Sequence, residues 1–101
     1  MVVVKNYPNS FLKTELKEIL DADGIKDVEV VGAMSHMCID ATTRAASDFG
    51  YKTTVVQDAC APRDLEHEGV TVPAASVHAV KMSALGFAYA TITDTEAYVA
   101  Q

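Results

Sequence analysis

The sequence predicts an α/β protein: a parallel sheet with flanking helices, in a Rossmann-like three-layer arrangement. Short apolar, β-branched runs alternate along the chain with segments of helical periodicity, and this alternation is typical of parallel sheets with crossover helices. Of the 101 residues, 50% are hydrophobic, which favours a globular chain with a core over a disordered one. Residues 1–101 are therefore interpreted as a single domain.

Four strands are predicted, each from a short apolar or β-branched run. They cover residues 1–5 (MVVVK), 27–31, 52–57 (KTTVVQ) and 90–93. Helices are predicted where apolar residues recur at helical spacing and a glycine follows. They run from Thr14 to Gly24, from about residue 38 to 49 and from about 74 to 86, with a helical turn at 95–99. The charged stretch 58–73 is predicted to be a loop.

Composition excludes several classes of protein. The formal net charge is −6 and the basic residues are scattered, which argues against a general nucleic-acid binder. No apolar run approaches the length of a membrane span, and the first residues do not have the pattern of a secretory signal. Two cysteines, Cys38 and Cys60, are too few for a disulfide framework. We therefore expect a cytoplasmic protein with neither nucleic-acid nor membrane partners.

Three chemically suggestive groups follow predicted strands. Lys5 ends the first strand, the stretch GAMSHMC from Gly32 to Cys38 follows the second, and Asp58 follows the third. The carboxyl ends of parallel strands lie at one edge of a sheet, where ligands gather. The sequence therefore predicts a small-molecule site at this edge.

Cys38 stands at the start of a predicted helix. Free backbone N–H groups and the positive end of the helix dipole at such a position favour a thiolate, and the same N–H groups can bind an oxyanion. A lysine at a neighbouring strand end would stabilise the anion further. The alternative is an ordinary buried cysteine that packs as a small hydrophobe. Periodicity leaves both interpretations open for Cys38, whereas Cys60 is interpreted as structural.

No metal or cofactor is predicted. His36, His67 and His78 have spacings that match no compact zinc pattern, so they are interpreted as solvated or hydrogen-bonded. The acid-rich stretch DLEHEG is interpreted as a solvated loop rather than as a set of metal ligands.

The chain resembles the isochorismatase-like cysteine hydrolase superfamily. The resemblance lies in GAMSHMCIDATTRAASDFGYKTTVVQDACAPRDLEHEG, together with VVVKNYPNSF before it and ITDTEAY after it, and so covers nearly the whole chain. It implies an Asp-Lys-Cys triad in which Cys38 is the nucleophile and Lys5 the lysine. It also implies a cis peptide at Ala33–Met34, with the backbone N–H groups of Met34 and Cys38 as the oxyanion hole. The cysteine favours the amide-hydrolysing branch over isochorismatase proper.

Four further residues are candidates for lining a substrate pocket, since they lie close to Lys5 or Cys38 in the sequence. They are Tyr7, Ser35, His36 and Met37. The resemblance implies a small-molecule substrate but does not identify it.

The chain departs from the family pattern in one large respect. Members are roughly twice as long, and the triad aspartate lies on a first strand near their start. No acid precedes Lys5 in this sequence, and neither Asp40 nor Asp58 matches the family position. The resemblance also implies a six-stranded sheet of order 3-2-1-4-5-6, of which this chain would supply strands 3 to 6.

This departure leads to two functional hypotheses. The first is the C-terminal portion of a cysteine hydrolase, whose ancestral reaction is hydrolysis of a small amide or related C–N bond through a thioester-type intermediate. Because the triad aspartate is absent, the isolated chain is expected to show little or no turnover. The second is a non-catalytic folding or assembly module. Open sheet edges invite pairing with another chain, so we expect a homo-oligomer or pairing with a separate N-terminal half.

Overall fold

The computed structural model describes residues 1–100, which form four α-helices, five strands and one π-helical turn. The helices are α1 (Leu16–Ala22), α2 (Asp40–Asp48), α3 (Ala74–Ala88) and α4 (Thr95–Val99). The strands are β1 (Asp27–Ala33), β2 (Lys52–Ala61), β3 (Leu65–His67), β4 (Val70–Val72) and β5 (Thr91–Thr93). The π-helical turn, Ser35–Ile39, leads directly into α2.

The main sheet is parallel and has the order β1-β2-β5. In its register Val30 lies opposite Val55, which in turn lies opposite Ile92. Helix α2 connects β1 to β2, and α3 lies between β2 and β5 in the chain, as expected for crossover connections between parallel strands. The predicted α/β class with a parallel sheet is therefore confirmed.

Apolar residues of the strands, helices and connecting segments form two core clusters. The first joins β1, β2, the π-helical turn and α3, and contains Val30, Ile39, Val55, Cys60, Met82 and Leu85. The second contains Phe11, Ala46 and Tyr51, with Leu16, Leu20, Val28 and Ala45 packed against it. The first cluster fixes the end of β1, and with it the turn that carries Cys38.

The prediction of a four-stranded sheet that begins with residues 1–5 is wrong for this structure. The parallel sheet has three strands, and residues 1–5 pair with none of the strands formed within residues 1–100. Val2 is 90% exposed and Val4 79% exposed. A β-branched run becomes a strand only when a neighbour satisfies its backbone groups, and no such neighbour lies beside this segment in the described chain.

The predicted loop at residues 58–73 is also corrected. Strand β2 continues through Asp58 to Ala61 because its last residues pair with the end of β1, where Cys60 lies opposite Gly32. Strands β3 and β4 then form an antiparallel hairpin. Asp58 therefore lies inside a strand and not at its end.

Candidate active site

The stretch from Gly32 to Cys38 forms a sharp corner between β1 and the helical segment that follows. Gly32 has a φ angle of +127°, a conformation that side-chain-bearing residues rarely adopt. The Ala33–Met34 peptide is cis, as the family resemblance implied. The helical segment then begins with Ser35, three residues earlier than the sequence predicted, so Cys38 lies within its first turn.

The ammonium group of Lys5 lies beside the thiol of Cys38. Lys5 Nζ is 3.2 Å from Cys38 Sγ. The same nitrogen donates to the backbone carbonyl of Tyr7 at 2.9 Å and to that of Pro8 at 3.4 Å. The chain therefore brings together the two side chains that the sequence singled out, although residues 1–5 do not form a strand.

The local backbone around Pro8 connects the lysine segment to the cysteine helix. Thr42, one turn after Cys38, donates through its hydroxyl to the carbonyl of Pro8 at 3.2 Å, and it accepts from the backbone N–H of Ser10 at 3.0 Å. Thr42 is buried. These hydrogen bonds hold the segment after Lys5 against α2, so the position of the ammonium depends on the same helix that carries the thiol.

The four candidate pocket residues have different environments. Tyr7 and Met37, which lie close in sequence to Lys5 and Cys38 respectively, are both exposed. His36 is partly buried, and its Nδ1 atom has no hydrogen-bond partner among the described residues. Ser35 is fully buried, so its side chain presents no surface to solvent. Cys38 itself is partly accessible.

Asp40 and Asp58, the two acids considered from the sequence, are engaged elsewhere. Asp40 accepts from Arg44 Nε at 3.1 Å and lies 3.8 Å from Lys81 Nζ. Asp58 accepts from the hydroxyl and the backbone N–H of Thr95 at the start of α4, at 2.7 and 2.8 Å. These hydrogen bonds lower the pKa of Asp58 below its ordinary value. The prediction that Asp58 converges on the same edge as Lys5 is not supported by these contacts.

Cys60 has the environment of a structural cysteine. It is buried in the first core cluster, and its Sγ donates to the carbonyl of Val56 at 3.4 Å. Burial raises the pKa of the Cys60 thiol, because a thiolate is poorly solvated there. The two cysteines are both free and differ in access: one is partly exposed beside an ammonium group, and the other is enclosed.

In residues 1–100, no three side chains of His, Cys, Asp or Glu are grouped so that they could hold a metal ion. Over the same range, none of the helices combines the length and apolar character needed to span a bilayer.

One contact near the site was not foreseen from the sequence. Ser35 Oγ lies 2.8 Å from Nδ1 of His78, on α3. From the sequence, His78 was interpreted only as one of three solvated or hydrogen-bonded histidines. Helical spacing carries a usable signal, because His78 precedes Met82 by four residues and Leu85 by seven, which places all three on one face of α3. Met82 and Leu85 are both buried.

A cavity lies along the free side of β1. Its volume is about 310 Å³, and its walls come from β1, α1, the segment before α1 and one residue of α2. The lining residues are Ser10, Phe11, Leu16, Leu20, Val28, Glu29, Val30, Val31 and Thr42. Neither Lys5 nor Cys38 contributes to it, so the cavity is separate from the thiol.

The comparison with known families agrees with this parallel α/β sheet and its cysteine at a strand-to-helix corner. The isochorismatase domain family matches residues 1–96, so the chain belongs to the isochorismatase family.

Particular relatives support this membership. The chain is 50% identical over 98 residues to the isochorismatase family protein YddQ of Bacillus subtilis, covering 97% of this chain and 54% of that protein. It superposes with a TM-score of 0.95 and 57% identity on a crystal structure from Oleispira antarctica assigned as an isochorismatase hydrolase, covering 99% of this chain and 53% of the other. Nicotinamidase 3 of Arabidopsis thaliana is 30% identical over 95 residues, 94% of this chain and 43% of that protein. The chain therefore spans about half the length of these relatives.

Proposed function

We propose that this chain is the nucleophile-bearing portion of a cysteine hydrolase that cleaves a small amide or a related C–N bond. The observation that supports this most directly is the 3.2 Å separation between Lys5 Nζ and Cys38 Sγ at a strand-to-helix corner. The relative named a nicotinamidase supports an amide as the substrate class. A reducing cytoplasm, in which thiols stay free, suits a mechanism that depends on a thiol.

The proposed reaction begins with attack of the Cys38 thiolate on the carbonyl carbon of the substrate. The ammonium of Lys5 stabilises the thiolate before attack, and the backbone N–H groups of Met34 and Cys38 are the proposed donors to the oxyanion that forms. The C–N bond then breaks, the nitrogen leaves with a proton, and a thioester remains on Cys38. Water attacks the thioester, the C–S bond breaks, and the acid and the thiol are released.

Two proton transfers in this scheme need a group that can act as base and then as acid. The family resemblance assigns these transfers to an aspartate that none of residues 1–101 matches. Asp40 and Asp58 are held by other partners. We therefore expect the isolated chain to accept an acyl group from an activated donor but to turn over an unactivated amide slowly or not at all.

The test uses p-nitrophenyl acetate as the acyl donor and nicotinamide as the unactivated amide. Cys38 should be acetylated before Cys60, which peptide mapping by mass spectrometry detects, while release of nicotinic acid stays at the background rate. The variant Cys38→Ala is the control for the acetylation site. Acetylation of both cysteines at equal rates, or of neither, would contradict the role of Cys38. Nicotinamide turnover that Cys38→Ala abolishes would contradict the expected inactivity.

A second candidate function is assembly, because β1 is an edge strand with an open side. Its free side faces the cavity of about 310 Å³, and Val31 on this strand is 56% exposed. Unpaired strand edges are templates for pairing with another chain, and the cavity gives an added apolar strand a place to pack. We propose that a second polypeptide segment, from another copy of this chain or from a separate N-terminal half, pairs with this edge.

Sedimentation equilibrium of the purified chain tests this candidate. Self-association through the edge predicts a weight-average mass that rises with concentration above the 10.8 kDa of one chain. A mass that stays at one chain over the whole concentration range would contradict self-association and leave only pairing with a different polypeptide. Copurification of the untagged chain with a tagged N-terminal half from a full-length relative then tests that remaining case.

A further inference from the structure

The only side-chain hydrogen bond between α3 and the Cys38 turn among the described residues joins Ser35 and His78. Ser35 is fully buried, and its Oγ lies 2.8 Å from His78 Nδ1. A buried hydroxyl is costly without a partner, so the imidazole satisfies a group that water does not reach. The ring nitrogen accepts the hydroxyl proton as one tautomer and donates to the oxygen as the other, and both forms preserve the contact.

The position of Ser35 makes this contact relevant to the thiol. Ser35 is the first residue of the π-helical turn and precedes Cys38 by three residues. Ile39, which follows Cys38, packs in the same core cluster as Met82 and Leu85 of α3. Helix α3 therefore contacts the turn on both sides of Cys38, through a hydrogen bond before it and an apolar contact after it.

We infer that His78 is a positioning residue for Cys38: by holding Ser35 from α3, it fixes the orientation of the turn that presents the thiol to Lys5. The inference rests on the proposed role of Cys38 as the nucleophile. His78 does not touch the sulfur, and it acts only through Ser35. Among the pairs that link α3 to this region, Lys81 and Asp40 offer a natural comparison, because they are 3.8 Å apart and partly exposed.

The rate of Cys38 alkylation by iodoacetamide measures this positioning without any substrate. His78→Leu keeps bulk but removes the nitrogen, and it should slow alkylation of Cys38 by about fivefold, as expected for a misaligned hydrogen-bonded pair. Ser35→Ala should slow it similarly, and the double variant should be no slower than either single one. His78→Asn, whose amide places a polar atom near the former Nδ1, should restore the rate to within about twofold.

Lys81→Met is the matched control, because it removes a contact from the same helix that does not involve Ser35. It should leave the alkylation rate unchanged. Equal slowing by Lys81→Met and His78→Leu would show that loosening α3 in general is responsible, and it would overturn the inference. Unchanged alkylation in a folded His78→Leu protein would overturn it as well.

Cys60 reports whether each variant is folded, since it is alkylated only when the core opens. If His78→Leu proves unfolded by this measure, the ring ¹⁵N resonances of the wild-type histidines decide the question. Alkylation of Cys38 should then shift the resonances of His78 and not those of His67, which is almost fully exposed on the hairpin. An unshifted His78 signal would overturn the inference.

These outcomes separate the inference from the proposed function. Wild-type Cys38 that reacts no faster than a cysteine in a short peptide would contradict its role as an activated nucleophile, and the inference falls with it. A fast wild-type thiol that stays equally fast in folded His78→Leu overturns the inference alone.

Discussion

Within residues 1–100, the ammonium of Lys5 has three hydrogen-bond partners, and two of them are backbone carbonyls. Those of Tyr7 and Pro8 accept from Nζ, at 2.9 and 3.4 Å, while Cys38 Sγ lies at 3.2 Å. A carbonyl oxygen orients an ammonium without neutralising its charge. The positive charge therefore remains available to a thiolate, and it is held in place even though the lysine side chain is exposed.

Removing this charge should slow the chemistry of the neighbouring thiol. We predict that Lys5→Met lowers the rate of Cys38 alkylation by iodoacetamide at neutral pH by about fivefold, a modest effect because the pair is exposed and screened. The measurement is mass-spectrometric quantification of the alkylated Cys38 peptide over time. Lys52→Met, which removes an exposed lysine at the start of β2, is the control. An unchanged rate in Lys5→Met would show that the ammonium does not activate the sulfur.

At the scale of single elements, α3 contributes one fully buried side chain, that of Leu85, to the core. Leu85 packs with Val30 and Val55 of the sheet. We predict that Leu85→Ala lowers the free energy of unfolding by about 3 kcal/mol, through lost transfer free energy and a residual cavity. Urea denaturation followed by circular dichroism measures this change. Val80→Ala on the exposed side of the same helix should change stability by less than about 0.5 kcal/mol, and equal effects of the two would contradict the assigned packing.

The contribution to stability of the hydrogen bonds between Asp58 of β2 and Thr95 of α4 should depend on pH. Hydrogen bonds from Thr95 lower the pKa of Asp58 below 3.8, so its carboxylate stabilises the fold above that pH and loses this contribution as pH falls through the lowered value. We predict that Asp58→Asn melts a few degrees below the wild type at pH 7 and that the difference closes at pH values below 3.8. Differential scanning fluorimetry across pH checks this. Glu66→Gln, an exposed acid on the hairpin, controls for the change in net charge, and a pH-independent difference in Asp58→Asn would contradict the prediction.

Sequence patterns predicted the elements that local signals specify. The runs VEVV and TTVV and the periodicity of residues 74–86 correspond to β1, β2 and α3. The end of β2 was missed because the stretch from Asp58 onwards is charged and was interpreted as a loop, whereas pairing of Cys60 with Gly32 extends the strand. A register shift between the strands accompanies this pairing, and no local pattern encodes it.

The candidate site was predicted in part for the same reason. The turn from Gly32 to Cys38 has local signals: a glycine, small residues and the start of a helix. Lys5 was expected near Cys38 because strand ends meet at one edge of a sheet. The two groups do lie 3.2 Å apart, but residues 1–5 do not form a strand. The contact between Ser35 and His78 joins residues 43 positions apart, and only the packing of α3 on the turn brings them together.

At the scale of the whole molecule, the sheet formed within residues 1–100 has no strand paired with the outer side of β1. Apolar side chains lie along this side, and the cavity separates it from α1 and the segment before it. A small domain buries too little apolar surface to leave such an edge uncovered without a cost in stability. Pairing with a second segment would therefore stabilise the fold as well as complete the sheet.

A charge on the open edge should weaken association, since charged side chains on edge strands disfavour pairing. We predict that Val31→Lys shifts the chain towards the monomer, which sedimentation velocity over a concentration series measures. Val80→Lys is the matched control, because Val80 is similarly exposed, at 64%, but lies on α3 away from the edge. Equal effects of both variants would point to general surface charge, and no effect of Val31→Lys would contradict self-association through β1.

Two of the groups that hold the Lys5 ammonium are backbone carbonyls, and this affects how the sequence of such a protein can change during evolution. Every residue type has the same backbone carbonyl oxygen. A substitution at position 7 can therefore replace the exposed side chain of Tyr7 and leave the Lys5 ammonium in place. The side chain two residues after Lys5 can therefore vary while the backbone contact to the ammonium is kept.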